Sequence, residues 1–146
     1  MDSVTLKTIL GKNQIKTTKV RLIVLNVLIN SDSALSHHEI SEALSNEEID
    51  KVTLYRTLKL FESKKLVHKV ATKDRNWQYA ICLHNNNVIT INRSHAHFIC
   101  DACDKIFCMP ETKTELTISN ISYLDNFMIT GKELRLHGLC PECQNT

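Results

Sequence analysis

The sequence has no run of 18 or more consecutive apolar residues, so no membrane-spanning helix is expected. Its start, MDSVTLKTILGKNQ, carries an early acid and no long apolar core, and it does not read as a signal peptide. The expectation is a cytoplasmic chain with reduced thiols. Nor does the sequence carry an H-E-x-x-H, or an H-x-E followed by P-C-x-x-C, which argues against a zinc hydrolase or deaminase. Its net charge is only +2, and its hydrophobic content of 42% is ordinary for a globular protein. A length of 146 residues suits one domain or two small ones.

What the sequence does have is six cysteines, four of them in two tight pairs. Cys100-Asp-Ala-Cys103 and Cys140-Pro-Glu-Cys143 are C-x-x-C knuckles separated by 36 residues. Each knuckle turns two thiolates toward one point, and two knuckles supply the four sulfurs of a closed tetrahedral zinc site. A closed site keeps no position for water, so it builds structure rather than catalyses. Such a site contributes on the order of 10 kcal/mol to folding. The alternatives are two disulfides, which need an oxidising compartment, or a thiol redox protein, which needs one knuckle and not two.

Charge is unevenly spread. Residues 1–75 hold 13 Lys/Arg against 9 Asp/Glu, and residues 76–146 hold 5 against 7. A basic first half beside a cysteine-rich second half suggests a nucleic-acid reader joined to something else. Apolar spacing predicts helices over 2–11, after Thr17 and Thr18, after the Ser36-His37-His38-Glu39 capping box, and over 51–61. On the last of these, Leu54, Leu58 and Phe61 form the buried stripe, and Val52, Tyr55, Arg56 and Lys59 lie opposite. A hairpin follows, with strands near 66–71 and 77–82 and two cations, Lys73 and Arg75, at its tip. Three helices and a basic hairpin describe a winged helix-turn-helix with an extra helix in front. The DNA-contact candidates are Tyr55, Arg56 and Lys59, with Thr53, Arg21, Lys73 and Arg75.

The Asn-rich stretch 83–94 reads as a linker between residues 1–82 and 95–146. Beyond it, strands are expected at 95–100, 105–109 and about 127–137, and residues 112–126 suit a short helix or a strand. The whole is an α+β chain. His95 and His97, two apart on a predicted strand, point to one face, while Cys100 faces the other. His68 sits in the first wing strand and Cys82 ends the second, both near the linker. A metal bound by His68, Cys82, His95 and His97, with Cys108 as a fifth candidate, would tie the two halves together and act as a switch.

These residues resemble the ferric uptake regulator (Fur) family of metal-responsive bacterial repressors. The matching stretches are Lys51-Val-Thr-Leu-Tyr-Arg-Thr-Leu, Leu66-Val-His-Lys, Tyr79-Ala-Ile-Cys, His95-Ala-His-Phe-Ile-Cys-Asp-Ala-Cys and His137-Gly-Leu-Cys-Pro-Glu-Cys. The resemblance implies a small α/β dimerisation domain after the winged helix, a homodimer on inverted-repeat operator DNA, and no membrane or small organic substrate as partner. It also implies a structural zinc at the four knuckle cysteines and a second regulatory divalent metal at the domain junction. Ala34 stands where iron- and peroxide-sensing members carry a histidine, and Cys82 places sulfur in the site. That combination resembles the zinc-uptake regulators of the family. Iron, manganese or peroxide sensing on the same fold is the alternative. Ser94, Ala96 and Lys132 stand where some members have ligands of a third metal site, so no such site is expected. Cys108 stands where others carry an acid, and it either joins the regulatory set or replaces His95 in it.

Overall fold

The computed structural model describes residues 2–72, 76–81, 83–84, 87–88, 95–109, 127–128 and 133–145. The first half is four helices, α1 (Ser3–Lys12), α2 (Lys19–Ile29), α3 (His37–Ala43) and α4 (Lys51–Ser63). Each starts at a side chain that accepts from free backbone N–H groups: Asp2, Thr18, Ser36 and Asp50. Ser36 and Glu39 form the full reciprocal capping box. Leu10, Val24, Leu25, Ile40, Leu58 and Phe61 meet in one buried aliphatic core.

Two of these helices stop in the same way. After α1, Gln14 takes a left-handed φ of 56°, and Ile15 donates its N–H back to the Leu10 carbonyl. After α4, Lys65 takes φ 59°, and Leu66 donates to Phe61. Both are left-handed C-terminal caps, and each drops an apolar residue, Ile15 or Leu66, into the core. This explains why the wing is shorter than its apolar pattern suggests. Leu66 and Val67 close the end of α4 and plug the core. The paired strands are β2 (His68–Ala71) and β3 (Trp77–Ala80), in the antiparallel register His68↔Ala80 to Ala71↔Trp77.

A third wing strand, β1 (Leu35–Ser36), pairs with Tyr79 and Gln78. Two residues are too few to show alternation, and their partners lie more than 40 residues on, so sequence pattern did not reveal them. Inside the stretch read as linker, β4 (Leu83–His84) pairs with β5 (Asn87–Val88).

The second half is a three-stranded sheet with β6 (Ala96–Cys100) in the middle, antiparallel to β7 (Ile106–Met109) and parallel to β8 (Leu134–Gly138). The strand expected at about 127–137 is corrected here. Phe127 and Met128 are not strand, and β8 runs from 134 to 138 because its pairing with the five residues of β6 sets its length. A one-turn helix, α5 (Pro141–Gln144), follows. Residues 112–126 lie outside the described residues. No helix among the described residues is long and apolar enough to cross a membrane.

The two halves touch through a small second core. Ala34, Val70 and Ala80 pack on Ile99 and Ile106, with Cys108 against them. Ala34 also donates its N–H to the Ile106 carbonyl at 2.7 Å. This seam brings the wing beside β6 and β7.

Candidate metal centres and nucleic-acid face

The knuckles converge. The sulfurs of Cys100, Cys103, Cys140 and Cys143 all lie within 4.8 Å of one another. Cys103 Sγ and Cys140 Sγ are 3.8 Å apart. That separation is nearly twice a disulfide bond of about 2.05 Å. It equals the edge, about 3.8 Å, of a tetrahedron whose sulfurs stand about 2.3 Å from its centre. The donor set therefore fits zinc. Strand pairing builds it: β6 ends at Cys100, β8 leads into Cys140, and the Asp101 N–H donates to the Gly138 carbonyl at 2.7 Å. Lys105 and Glu142 clamp the two loops from outside at 2.6 Å.

The electrostatics of the tetrad ask for a cation. The Cys140 backbone N–H, 3.3 Å from Cys100 Sγ, holds that thiol well below the ordinary range, at about 6. The neighbouring sulfurs of Cys140 and Cys103 push Cys143 up to about 12. Four thiolates this close cannot all ionise unaided, whereas a dication would displace their protons.

A second group forms at the seam. The ligating atoms of His68, His95, His97 and Cys108 also lie within 4.8 Å of one another. His68 Nε2 is 3.0 Å from His97 Nε2 and 3.4 Å from Cys108 Sγ. A tetrahedron with nitrogens at about 2.05 Å and sulfur at about 2.3 Å has edges of about 3.3 and 3.6 Å, so this set too fits zinc. His95 and His97 are each only 6% exposed. The three rings stand with centroids 4.5–5.2 Å apart. Strand geometry accounts for the convergence. His97 faces Cys108 across the β6–β7 pair, and the seam carries His68 of β2 against them. His95 and Cys108 both lie within this group.

Cys82, Ser94 and Lys132 lie outside the described residues. Ala34 and Ala96 are buried and offer no ligand. Sequence reasoning passed over two residues at this site. Glu133 Oε1 is 3.9 Å from His97 Nδ1, and its other oxygen accepts from Arg135 at 2.9 Å. Their spacing of two, on a predicted strand, was the available signal.

The third surface is α4. Val52 and Tyr55 are 56% and 51% exposed there, and Arg56 and Lys59 are exposed beside them. An open cleft of about 400 Å³ joins Arg56 and Thr53 to Thr18, Val20 and Arg21 at the start of α2. Arg21 donates to the Lys16 carbonyl at 2.6 Å, and Thr53 donates its hydroxyl to Asp50 at 2.6 Å. Thr53 thus spends its proton on the helix cap and keeps only its oxygen lone pairs for a ligand. Lys73 and Arg75 lie outside the described residues.

The sequence profile of the Ferric uptake regulator family matches residues 12–137. The chain belongs to the ferric uptake regulator family. It is similar to the "Ferric uptake regulation protein" of Campylobacter upsaliensis, 28% identical over 95% of this chain and 86% of that one. The "Peroxide-responsive repressor PerR" of Staphylococcus saprophyticus is 26% identical over 94% and 88%. A solved "Zinc Uptake Regulator Complexed With Zinc AND DNA" shares the fold, with a TM-score of 0.70 at 24% identity, covering 97% of this chain and 92% of that chain. As a Fur-family protein the chain is a metal-responsive transcriptional regulator and not an enzyme.

Proposed function

We propose that this regulator is a zinc-responsive repressor of metal-homeostasis genes, acting in the cytoplasm. The observation that carries the reading is the seam cluster. Three imidazoles and a thiolate, drawn from both halves of the chain, lie within 4.8 Å of one another. Nitrogen with sulfur in a four-donor set suits zinc better than iron or manganese, which favour oxygen ligands and more of them. Cys82 remains a further proposed ligand. The four knuckle cysteines hold a separate structural zinc.

In this reading residues 1–82 are the DNA-binding domain, 83–94 the hinge and 95–146 the dimerisation and metal-binding domain. Bound zinc supplies a fixed charge that holds His68 on the wing against His95, His97 and Cys108. The wing then sits in one orientation relative to the dimer axis, and the population shifts toward the shape that spans an inverted repeat. Tyr55, Arg56 and Lys59 enter the major groove, with Arg56 reading a base or clamping a phosphate. Arg21, Thr53, Lys73 and Arg75 position the backbone.

The names of the sequence relatives favour a second reading, iron or peroxide sensing on the same fold. One experiment separates the two. Reduced protein is titrated with a graded chelator, and zinc per chain is counted by native mass spectrometry. Two zincs, one firm and one exchangeable, with operator binding following the exchangeable one, is the expected result. A single firm zinc that added zinc cannot supplement would overturn the zinc-sensing reading.

A further inference from the structure

Beyond the four donors of the seam site, a polar chain leads from His97 back to the wing. His97 and Arg135 are register partners on β6 and β8. Glu133, just before β8, places Oε1 at 3.9 Å from His97 Nδ1, the ring atom opposite the Nε2 that faces His68. Glu133 Oε2 accepts from Arg135 at 2.9 Å. Arg135 in turn donates, at a long 3.5 Å, to the carbonyl of Ala71. Ala71 ends the strand that His68 begins. The path therefore closes a loop: from His68 through the donor cluster to His97, through Glu133 and Arg135, and back to β2.

Glu133 and Arg135 are 46% and 36% exposed at their side chains. An ion pair that open adds little to stability, so its value lies in what it holds. A carboxylate on the far nitrogen of a metal-binding imidazole fixes the ring's tautomer and orientation. At 3.9 Å the contact is longer than a hydrogen bond, so Glu133 acts on the ring through its charge, which favours a proton on Nδ1 and a lone pair on Nε2 toward the donor cluster.

We propose that Glu133 is the positioning residue of the seam site, holding His97 by Nδ1, and that Arg135 carries that hold to the wing at Ala71. The proposal rests on the reading of the seam cluster as a metal site. It adds two residues that touch no metal yet set how tightly zinc binds and whether the wing feels it.

The test uses the full chain and zinc. Glu133→Ala is expected to weaken the exchangeable zinc about 10-fold in chelator competition, while the firm zinc stays. Glu133→Gln, which keeps the side chain's length and an oxygen toward Nδ1 but removes its charge, is expected to fall between that variant and the unaltered protein. Trp77, the single tryptophan, is the register partner of Ala71 and reports on the wing. Zinc is expected to change its emission in the unaltered protein. In Arg135→Ala that change is expected to be lost, with zinc affinity within about 3-fold of the unaltered value, since losses of about 10-fold and more come from removing the residue that faces the imidazole itself. His97→Ala is the control. If it loses the exchangeable zinc and Glu133→Ala does not, the positioning role is overturned and the site stands. If His97→Ala itself binds zinc unchanged, the metal-site reading falls with it. A full Trp77 response in Arg135→Ala would remove the tie to the wing.

Discussion

The two donor clusters differ more than their chemistry suggests. The knuckle site takes all four sulfurs from residues 100–143, within one half of the chain. The seam site takes His68 from the wing and the rest of its described donors from β6, the residue just before it, and β7. Metal in the first joins parts that neighbouring strands already hold together. Metal in the second joins parts that meet, among the described residues, through a narrow seam, Ala34, Val70 and Ala80 on Ile99 and Ile106, with the Ala34–Ile106 and Arg135–Ala71 hydrogen bonds beside it. In the proposed reading, a metal within one unit builds it, whereas a metal between two units reports on its own presence.

That contrast breaks most visibly at the knuckles. Cys140→Ser is expected to lose the firm zinc and to unfold the end of the β6–β8 sheet, removing much of the roughly 10 kcal/mol such a site provides. Metal analysis with circular dichroism would show it, and a folded, zinc-loaded Cys140→Ser would erase the distinction. Next in size, Cys108→Ser should leave the fold and the firm zinc intact. It should weaken the exchangeable zinc by more than the 10–100-fold typical of losing an outer partner, as measured by chelator competition. Arg56→Ala sharpens the comparison from the output side. Operator affinity is expected to drop by about 1–3 kcal/mol, read by fluorescence anisotropy at fixed salt, with both zincs unchanged. The smallest effect touches neither cluster. Lys65→Gly relieves a left-handed backbone in the cap of α4 and should raise stability by up to about 1 kcal/mol, seen as a few degrees in thermal melting.

Much of this was legible from residue order. Ser36 and Glu39 announced the start of α3, Thr18 that of α2, and the Leu54–Leu58–Phe61 stripe the buried side of α4. These are local signals, fixed by chemistry within one or two turns. The spacing of the knuckles and of His95 and His97 likewise carried its own geometry. What escaped was set by distant partners. The two residues of β1 are strand only because Tyr79 and Gln78 are there to pair with. β8 is only as long as its neighbour, and Leu66 is a core plug rather than a strand because α4 ends just before it. Glu133 lies beside His97 only because the register of β8 against β6 brings it there.

One strand carries both clusters. His97 and Cys100 sit three residues apart on β6, and an odd spacing sends them to opposite faces. Sliding that strand by a single residue would turn the imidazole inside out. The sulfur cluster clips the end of β6 to the end of β8, and so it serves as a ruler's zero mark from which His97 is counted. A chain that has not yet captured its first ion keeps that mark by strand pairing alone. We infer an order in time: one metal calibrates the strand on which the other is measured.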